Sequence, residues 1–482
     1  MTQDLTHLSA CDLVEGYRAG SFSPVEVAEA VLARMAYLDG NIEAFCHRDD
    51  ETVRAMARES ESRWQRGEPI GPLDGVPVSI KDVLRVTGWP TRLGSKTVDA
   101  KGPWTSDSPS VAAMRAAGTV FLGMTKSPEL GWKGVTDGPL YGSARNPWNL
   151  RMTPGGSSGG AAGAVAAGMG PLAFGTDGGG SVRIPAGFCG IVGMKPSFGK
   201  IPVWPPSTFG TLSHVGPMAR TVRDAALMLD VIGHPDSLDS WSMPEDGRVA
   251  RDELEGGIAG RRIAWSPDLG YVRVDPEIAD LVRRAVDGLA SLGAIVEEIE
   301  APADKPEEAF RVLWYAAAAN AVRTESKARR RFLDHGLIEI VEEGERLRAV
   351  DVIEAERARG RYAVAMGQIF DRHDLLVTPT LPIPAFEVGL EVPRDWPHDR
   401  WFTWTPFTYP FNLTRQPALT VPCGFTGAGL PAGLQIVGRY GDDHRVLRTG
   451  AAYQDAFPTL DRWPDAGRTS GPVPAPAEEP GP

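Results

Sequence analysis

The sequence predicts an α/β layered fold in one large domain. From residue 71 onward, short apolar runs bounded by glycine and proline alternate with helical patterns, as in proteins that cover a sheet with helices. The first buried strands are predicted at 76–80, 119–123 and 172–175, and a helix begins at Ser108-Pro109 between the first two. No segment with the composition of an interdomain linker interrupts this pattern, which favours a single domain.

The N-terminal segment, through about residue 60, is predicted to be helical. Ser23 is followed by Pro24 and then by Glu26, an order typical of a helix start, and Gly40 is the predicted end. Residues 155–200 are rich in glycine but carry apolar side chains that need burial, so we expect core backbone there. The later predicted elements are a strand at 262–265, a helix and then a strand within 275–300, helices at 306–332 and 351–371, strands at 375–377, 419–424 and 433–438, and a helix at 443–457.

The C-terminal residues differ in composition from the rest. Residues 466–482 are rich in proline and lack the apolar periodicity of the preceding chain. We therefore predict that residues 1–465 form the domain and that 466–482 are a disordered tail.

Composition narrows the possible partners. The net charge of −12 arises from acids scattered along the chain, which argues against nucleic-acid binding. The four cysteines lie far apart without a C-x-x-C pair, so neither a zinc site nor a disulfide framework is expected. The N-terminus does not resemble a signal peptide, and no apolar stretch is long enough to cross a bilayer. We expect a cytoplasmic protein without a metal, a membrane anchor or a nucleic-acid partner.

Lys81 is the first residue that suggests chemistry, because residues 75–82 (GVPVSIKD) place it at the end of a predicted buried strand. Burial of an ammonium group without a partner is costly and lowers the pKa of the lysine, so that Lys81 could act as a neutral base. In the alternative interpretation the side chain extends to water or pairs with Asp82. This segment alone does not decide between the two.

A second segment, residues 154–161 (PGGSSGGA), leads into an alanine-rich helix. Backbone amides flanked by glycines at a helix start can bind an anion, but a P-loop is disfavoured because no Gly-Lys-Ser/Thr follows. The pattern G-x-S-x-G around Ser157 also fits the nucleophile of an α/β-hydrolase. That interpretation requires a strand directly before the turn and a partner histidine, and the sequence offers no convincing candidate for either.

The third segment, residues 175–186 (GTDGGGSVRIPA), places three consecutive glycines directly before Ser181. Several amides can converge there on one point, as an oxyanion hole requires, although a flexible turn is the alternative. A serine hydroxyl needs an adjacent base, and serine–lysine pairs are a known variant of triad chemistry. The three segments together predict a serine hydrolase that uses no histidine. Cys189 and Cys423 lie in apolar runs and are interpreted as buried, inert thiols.

These segments resemble those of the amidase signature family, and so do residues 188–197 (FCGIVGMKPS), 216–224 (GPMARTVRD), 411–418 (FNLTRQPA) and 429–438 (GLPAGLQIVG). The likeness extends over about residues 5–460. It implies one α/β domain with a central mixed sheet covered by helices. It also implies hydrolysis of an amide bond through an acyl-enzyme, without a cofactor.

The resemblance assigns roles residue by residue. It implies that Ser181 is the nucleophile, that Ser157 relays protons after a cis peptide bond, and that Lys81 is the base. The implied oxyanion hole consists of the amides of Gly178, Gly179, Gly180 and Ser181. Supporting hydrogen bonds are implied for four more residues, for which purely structural roles are an alternative: Ser158, Thr176, Asp177 and Arg183.

Two positions depart from the family pattern. Gly178 stands where many members carry isoleucine, which loosens the loop without removing an amide. Arg415 stands where glycine is common, so we expect a positive group near the pocket rim.

The aromatic segment 395–407 suggests an apolar pocket. We predict that Trp401 and Trp404, together with Trp132, line this pocket. The expected small-molecule substrate is a neutral, fairly hydrophobic amide with an aryl or long-chain group, with anilides, carbamates and esters as further candidates. Packing at the edge of the sheet is the alternative role for these rings.

Two other functions stay open at this point. A glutamine-dependent amidotransferase subunit would release ammonia from glutamine and would need partner subunits. A catalytically silent protein could instead bind a ligand at the glycine-rich segment. A homodimer is a further hypothesis.

Overall fold

Eleven strands in the described part of the chain form one mixed sheet. The computed structural model describes residues 4–300, 304–459 and 461–467. The strands are β1 (Phe45–His47), β2 (Pro77–Lys81), β3 (Val120–Thr125), β4 (Leu172–Asp177), β5 (Val192–Lys195), β6 (His214–Ala219), β7 (Arg262–Trp265), β8 (Ile295–Glu298), β9 (Leu375–Pro379), β10 (Ala418–Phe425) and β11 (Pro431–Gly438). Their order across the sheet is β1-β3-β2-β4-β6-β5-β10-β11-β9-β7-β8. Parallel and antiparallel neighbours both occur, so the predicted mixed sheet is confirmed.

Helices flank this sheet. They are α1 (Ala10–Ala19), α2 (Pro24–Ile42), α3 (Asp50–Arg66), α4 (Pro109–Ala116), α5 (Gly159–Ala166), α6 (Arg183–Cys189), α7 (Val222–Ile232), α8 (Pro276–Ser291), α9 (Glu307–Ala321), α10 (Lys327–Arg330), α11 (His335–Gly344), α12 (Ala349–Ile369), α13 (Pro410–Leu413) and α14 (Asp443–Ala456). Among the described residues, no helix combines the length and the hydropathy that a bilayer span requires.

Strand β2 has parallel neighbours on both sides, β3 and β4. Every residue of β2 is buried, as expected for a parallel strand covered on both faces. Because parallel strands end at the same edge of a sheet, the carboxyl ends of β2 and β4 lie side by side. Lys81 from β2 and Thr176 and Asp177 from β4 therefore meet at one edge.

The predicted start of α2 is confirmed, and its predicted end is corrected. The Ser23 side chain accepts a hydrogen bond from the Glu26 N–H, and the Glu26 carboxylate accepts one from the Ser23 N–H. The helix continues past Gly40 to Ile42, because Gly40 keeps a helical backbone. It ends where Glu43 adopts a left-handed conformation with φ 55°.

Two expectations for the later chain are corrected. The helix expected over 306–332 is broken, since α9 ends at Ala321 and the extended backbone of Ser326 (ψ 153°) precedes the short α10. Strands β5 and β6 lie in sequence that periodicity did not assign, because Gly193, Gly216 and Pro217 interrupt their apolar pattern. Glycine is required at 216, where a Cβ would lie 2.1 Å from the carbonyl oxygen of Met194 on β5.

The predicted tail begins within the described residues. Ala466 is buried, and its carbonyl accepts a hydrogen bond of 3.1 Å from Asn41 Nδ2 on α2. Residues 468–482 lie outside the described residues. The domain boundary at 465 and the tail therefore stay predictions.

The segment that leads into β2 is held to α3 by a buried carboxylate, and we expect the fold to depend on it. Asp74 is fully buried and accepts hydrogen bonds from Arg63 Nη2 at 2.6 Å, Ser60 Oγ at 2.6 Å and the Ile70 N–H at 3.0 Å. We expect Asp74→Asn to lower the free energy of unfolding by about 2–3 kcal/mol, because Arg63 loses its ionic partner and one acceptor becomes a donor. Urea unfolding followed by tryptophan fluorescence measures this change.

Glu51→Gln is the matched control on the same helix. Glu51 is 86% exposed, and among the described residues its one ion pair is with the half-buried Arg54 at 3.4 Å. Its loss should change the free energy of unfolding by less than about 0.5 kcal/mol. Equal effects of the two variants would contradict the role assigned to Asp74.

Candidate active site

The edge formed by β2 and β4 brings Lys81 against three hydroxyl groups. Its Nζ lies 2.7 Å from Ser157 Oγ, 2.9 Å from Ser158 Oγ and 2.9 Å from Thr176 Oγ1. Ser157 and Ser158 precede α5, and Thr176 belongs to β4. The structure therefore brings Lys81 and Ser157, the predicted base and relay, into contact.

Lys81 is fully buried, and no carboxylate of a described residue lies within ion-pair distance of it. Burial lowers the pKa of Lys81 from its ordinary value of 10.5 to about 7, and the more distant charge of Asp177 opposes part of this shift. At neutral pH a large fraction of the amine is uncharged. The alternative in which Lys81 reaches water or pairs with Asp82 is excluded, since the Asp82 carboxylate accepts instead from the backbone amides of Arg92 and Gly94.

The Gly156–Ser157 peptide bond is cis, as the resemblance implies. Gly156 fits only without a side chain, because a Cβ there would lie 2.4 Å from the backbone carbon of Val135. The Ser158 N–H donates to the carbonyl of Ser181 at 3.2 Å, which ties the two serine-bearing loops together.

Ser181 follows the glycine loop 178–180 and precedes α6. The Asp177 carboxylate holds this loop by accepting from the amides of Gly180 at 2.8 Å and Val182 at 3.2 Å. Because the Gly180 amide is already used, its expected place in an oxyanion hole is corrected. The amides of Gly178, Gly179 and Ser181 donate to no other described residue.

Asp177 forms a buried ion pair with Arg183. The Arg183 Nε and Nη2 donate to the two carboxylate oxygens at 2.9 Å each, and neither side chain is exposed. Burial acts to raise the pKa of Asp177, but the charge and hydrogen bonds of Arg183 hold that pKa below its usual range. Asn412 Nδ2 adds a hydrogen bond of 2.8 Å to the same carboxylate. Asp177 is therefore ionised and fixed.

A cavity of about 90 Å³ opens onto this arrangement. Its polar lining consists of Ser157, Thr176, Ser181, Ser207, Thr208, Ser213 and His214, beside Gly131 and Gly178. Its apolar lining consists of Val83, Leu93, Leu130, Val203, Phe209 and Trp314. None of these residues is an aspartate, glutamate, lysine or arginine. A larger groove of about 760 Å³ lies between α9 and α12, but it contains none of the three residues Lys81, Ser157 and Ser181.

Two leucines of the cavity wall have unusual backbone conformations. Leu93 and Leu130 have φ of 54° and 53°, in the left-handed region. The Leu130 N–H donates to the Leu93 carbonyl at 2.7 Å, so the two loops support each other. Both residues line the cavity.

The predicted aromatic lining is corrected. Trp132, Trp401 and Trp404 are at most 1% exposed and belong to the aromatic cluster behind the glycine loop, not to the cavity wall. The ring of Trp401 lies so close to the loop that a Cβ at Gly179 would be 2.7 Å from its Cη2. Trp401 therefore supports the loop, because its ring fills the space beside Gly179.

Sequence reasoning missed most of the wall, including Phe209, Trp314 and His214. Trp314 belongs to α9, where it continues the buried face begun by Phe310 and so resembles any core residue. His214 begins β6 and accepts a hydrogen bond from Lys195 at 3.3 Å. Burial and the neighbouring Lys195 hold the pKa of His214 well below its ordinary range, so it is neutral.

Three further expectations can be compared with the structure. The guanidinium of Arg415 lies 4.9 Å from the ring of Phe198 rather than in the cavity wall, which corrects the expected positive rim. Burial raises the pKa of Cys423 to about 12 and raises that of Cys189 as well, so both thiols are protonated. The interpretation of both as inert is consistent with these shifts.

Known proteins are similar to this chain in sequence and in fold. The family model described as Amidase matches residues 26–447. An acylamidase from Rhodococcus erythropolis is 40% identical, over 96% of this chain and 98% of the relative. A subunit of the glutamyl-tRNA(Gln) amidotransferase from Roseiflexus sp. (strain RS-1) is 36% identical, over 96% of this chain and 99% of the relative.

Among solved structures, a bacterial aryl acylamidase of the amidase signature family superposes with a TM-score of 0.89 at 31% identity, covering 97% of this chain and 99% of that one. The match spans the sheet and the helices described above. The resemblance inferred from sequence is thereby confirmed, and the chain belongs to the amidase signature family of hydrolases that cleave amide bonds.

Proposed function

We propose that this protein hydrolyses small, neutral, hydrophobic or aryl amides through an acyl-enzyme on Ser181, with Ser157 as relay and Lys81 as base. The observation that carries the proposal is the contact of the buried Lys81 amine with Ser157 Oγ at 2.7 Å, with a pKa lowered to about 7. An uncharged amine can accept the proton that a serine must lose.

The proposed reaction has two stages. Lys81 Nζ takes the proton of Ser157, Ser157 takes that of Ser181, and Ser181 Oγ attacks the carbonyl carbon. The amides of Gly178, Gly179 and Ser181 donate to the oxygen that becomes negative. Ser157 returns a proton to the leaving nitrogen as the C–N bond breaks, and water, activated by the same path, then hydrolyses the ester on Ser181.

The Asp177–Arg183 pair supports this chemistry without touching the substrate. Because Asp177 binds the amides of Gly180 and Val182, it fixes the loop that points the remaining amides toward the cavity. Ser158 and Thr176 act as further partners of Lys81 Nζ and orient it.

The uncharged cavity wall favours a neutral substrate over glutamine. Glutamine carries an ammonium and a carboxylate, and burial of either without an opposite charge is costly. The cavity lining offers hydroxyls, a neutral histidine and apolar side chains instead. The acylamidase relative is consistent with such a substrate. Amidotransferase relatives are also similar to this chain, so glutamine hydrolysis is the alternative to test.

We expect the purified chain alone to release arylamine from neutral acyl arylamides and little ammonia from glutamine. A hydrolysis screen over amides, anilides, carbamates, esters and glutamine measures this preference. Faster turnover of glutamine than of any neutral amide would overturn the substrate assignment.

Ser181→Ala is the control for that screen. It should lose both turnover and labelling by a fluorophosphonate probe, because both require the same oxygen. A silent ligand-binding protein would show neither turnover nor labelling in the wild type. Labelling that persists in Ser181→Ala would place the nucleophile elsewhere.

Lys81→Met should lower kcat/KM by roughly four orders of magnitude or more, because the proton path loses its final acceptor. The substitution replaces a buried amine by an apolar side chain of similar length, so circular dichroism and thermal unfolding should stay close to wild type. Lys126→Met is the matched control: Lys126 follows the neighbouring strand β3, is 8% exposed and pairs with Glu43 at 2.8 Å. Near-wild-type hydrolysis by Lys81→Met at neutral pH would remove Lys81 as the base.

The pKa of Lys81 predicts the pH dependence of kcat/KM. The base acts only when it is deprotonated, so kcat/KM should rise with pH to a midpoint near 7 and fall by about tenfold for each pH unit below it. A lysine at its ordinary pKa of 10.5 would place the midpoint far above neutrality. Steady-state rates between roughly pH 5.5 and 9.5 distinguish the two. A rate that still increases steeply at the upper end contradicts a lowered pKa.

A further inference from the structure

The cavity wall beside Gly178 is formed by an indole ring that is held on several sides. The ring of Trp314 stacks on Phe209, with centroids 3.6 Å apart and planes 9° apart. Its Nε1 donates to the carbonyl of Trp132 at 3.1 Å, and the ring of Trp401 meets it edge to face at 5.4 Å. A ring with a stacked partner, a hydrogen bond and a perpendicular neighbour has little freedom to turn.

This ring explains why residue 178 is a glycine. A Cβ at position 178 would lie 3.0 Å from Cζ3 and 3.2 Å from Cη2 of Trp314. The φ of Gly178 lies outside the left-handed range, so the backbone itself would accept an L side chain. The indole occupies the space that such a side chain would need. Gly178 and Trp314 are therefore a complementary pair.

The position of Ser157 determines which part of a substrate meets this ring. Under the proposed function, the leaving nitrogen faces Ser157, which returns its proton. Ser157 neighbours Gly131, where a Cβ would be 3.3 Å from Ser157 Oγ, and Trp314 neighbours Gly178. Both residues line the same cavity. If the leaving nitrogen meets Ser157, Phe209 and Trp314 are left to contact the acyl chain.

We propose that Trp314, packed against Gly178, limits the acyl group to a short chain, so that the substrates are short-chain acyl amides of hydrophobic or aromatic amines. This inference rests on the proposed function. The cavity of about 90 Å³ supports it, since pockets for drug-sized ligands have volumes of about 300–1,000 Å³.

The test compares p-nitroanilides of straight-chain acids from acetyl to decanoyl. We expect wild-type kcat/KM to fall by about tenfold or more between butyryl and octanoyl, because the longer chain meets the ring. Trp314→Leu should move the preference toward the longer chains by a similar factor. Trp314→Phe, which keeps an aromatic ring on Phe209, should give a smaller shift in the same direction. This variant replaces Trp314→Leu in the test if the leucine variant folds poorly.

A second pair of variants tests the complementarity with Gly178. Gly178→Val should lower kcat/KM for every chain length, because its side chain collides with the indole. The double variant Gly178→Val/Trp314→Leu should recover part of the activity on acetyl and butyryl substrates. Additive losses in the double variant would contradict the pairing.

Trp265→Leu is the matched control, since it removes an equally buried indole from β7, outside the cavity lining. Its chain-length profile should equal that of wild type. A second series, with acetyl constant and the amine varied, should be unchanged in Trp314→Leu. A change in that series instead of the acyl series would overturn the assigned orientation.

Fluorophosphonate labelling of Ser181 distinguishes failure of the proposed function from failure of the role proposed for Trp314. If wild type is neither labelled nor able to release amine, the proposed function fails. If wild type and both Trp314 variants are labelled and active but share one acyl-length profile, the proposed function stands and the role of Trp314 is wrong.

Discussion

The buried ion pair between Asp177 and Arg183 is the interaction on which the rest of the site depends. All five donor positions of the Arg183 guanidinium are used: two meet Asp177, and the others meet Asn412 Oδ1, Gln435 Oε1 and the Thr408 carbonyl. The pair therefore connects the end of β4 with α6, α13 and β11. A buried arginine whose partners are all in place is stable in one arrangement, whereas loss of any partner leaves an unpaired charge in the core. The glycine loop takes its shape from this arrangement.

Two buried lysines lie close to this loop, and their surroundings explain why only one is suited to proton transfer. Lys195 Nζ meets the carbonyls of Pro196 and Gln416 and the ring of His214. Carbonyl oxygens can only accept, so they bind the amine through its hydrogens and leave it no proton to take. Lys81 Nζ meets three hydroxyls, each of which can donate as well as accept. Burial lowers the pKa of both lysines, but only Lys81 lies beside a transferable proton.

Sequence alone predicted the fold class, most strands near the site and the residues that meet at its centre, because these depend on local patterns. A buried lysine at a strand end and serines after glycine runs are visible in a short window of sequence. The Gly180 amide was wrongly assigned to the oxyanion hole, because it donates to the side chain of Asp177, three residues earlier. Residue types alone do not specify that hydrogen bond. Trp314 was missed for a different reason. Its helix resembles any core helix, and only the packing of α9 against the glycine loop makes one of its rings a cavity wall.

At the two leucines with left-handed backbone, the conformation of the backbone favours glycine, whereas the lining of the cavity favours leucine. A left-handed conformation costs a residue with a Cβ roughly 1–2 kcal/mol, which glycine avoids. Replacement of Leu93 and Leu130 by glycine would therefore relieve the backbone and at the same time remove two leucines from the cavity lining. Screens that select only for thermostability would favour such changes. The resulting enzymes would fold stably, but their cavity would be less enclosed. At these two positions, folding stability and catalytic turnover favour different amino acids.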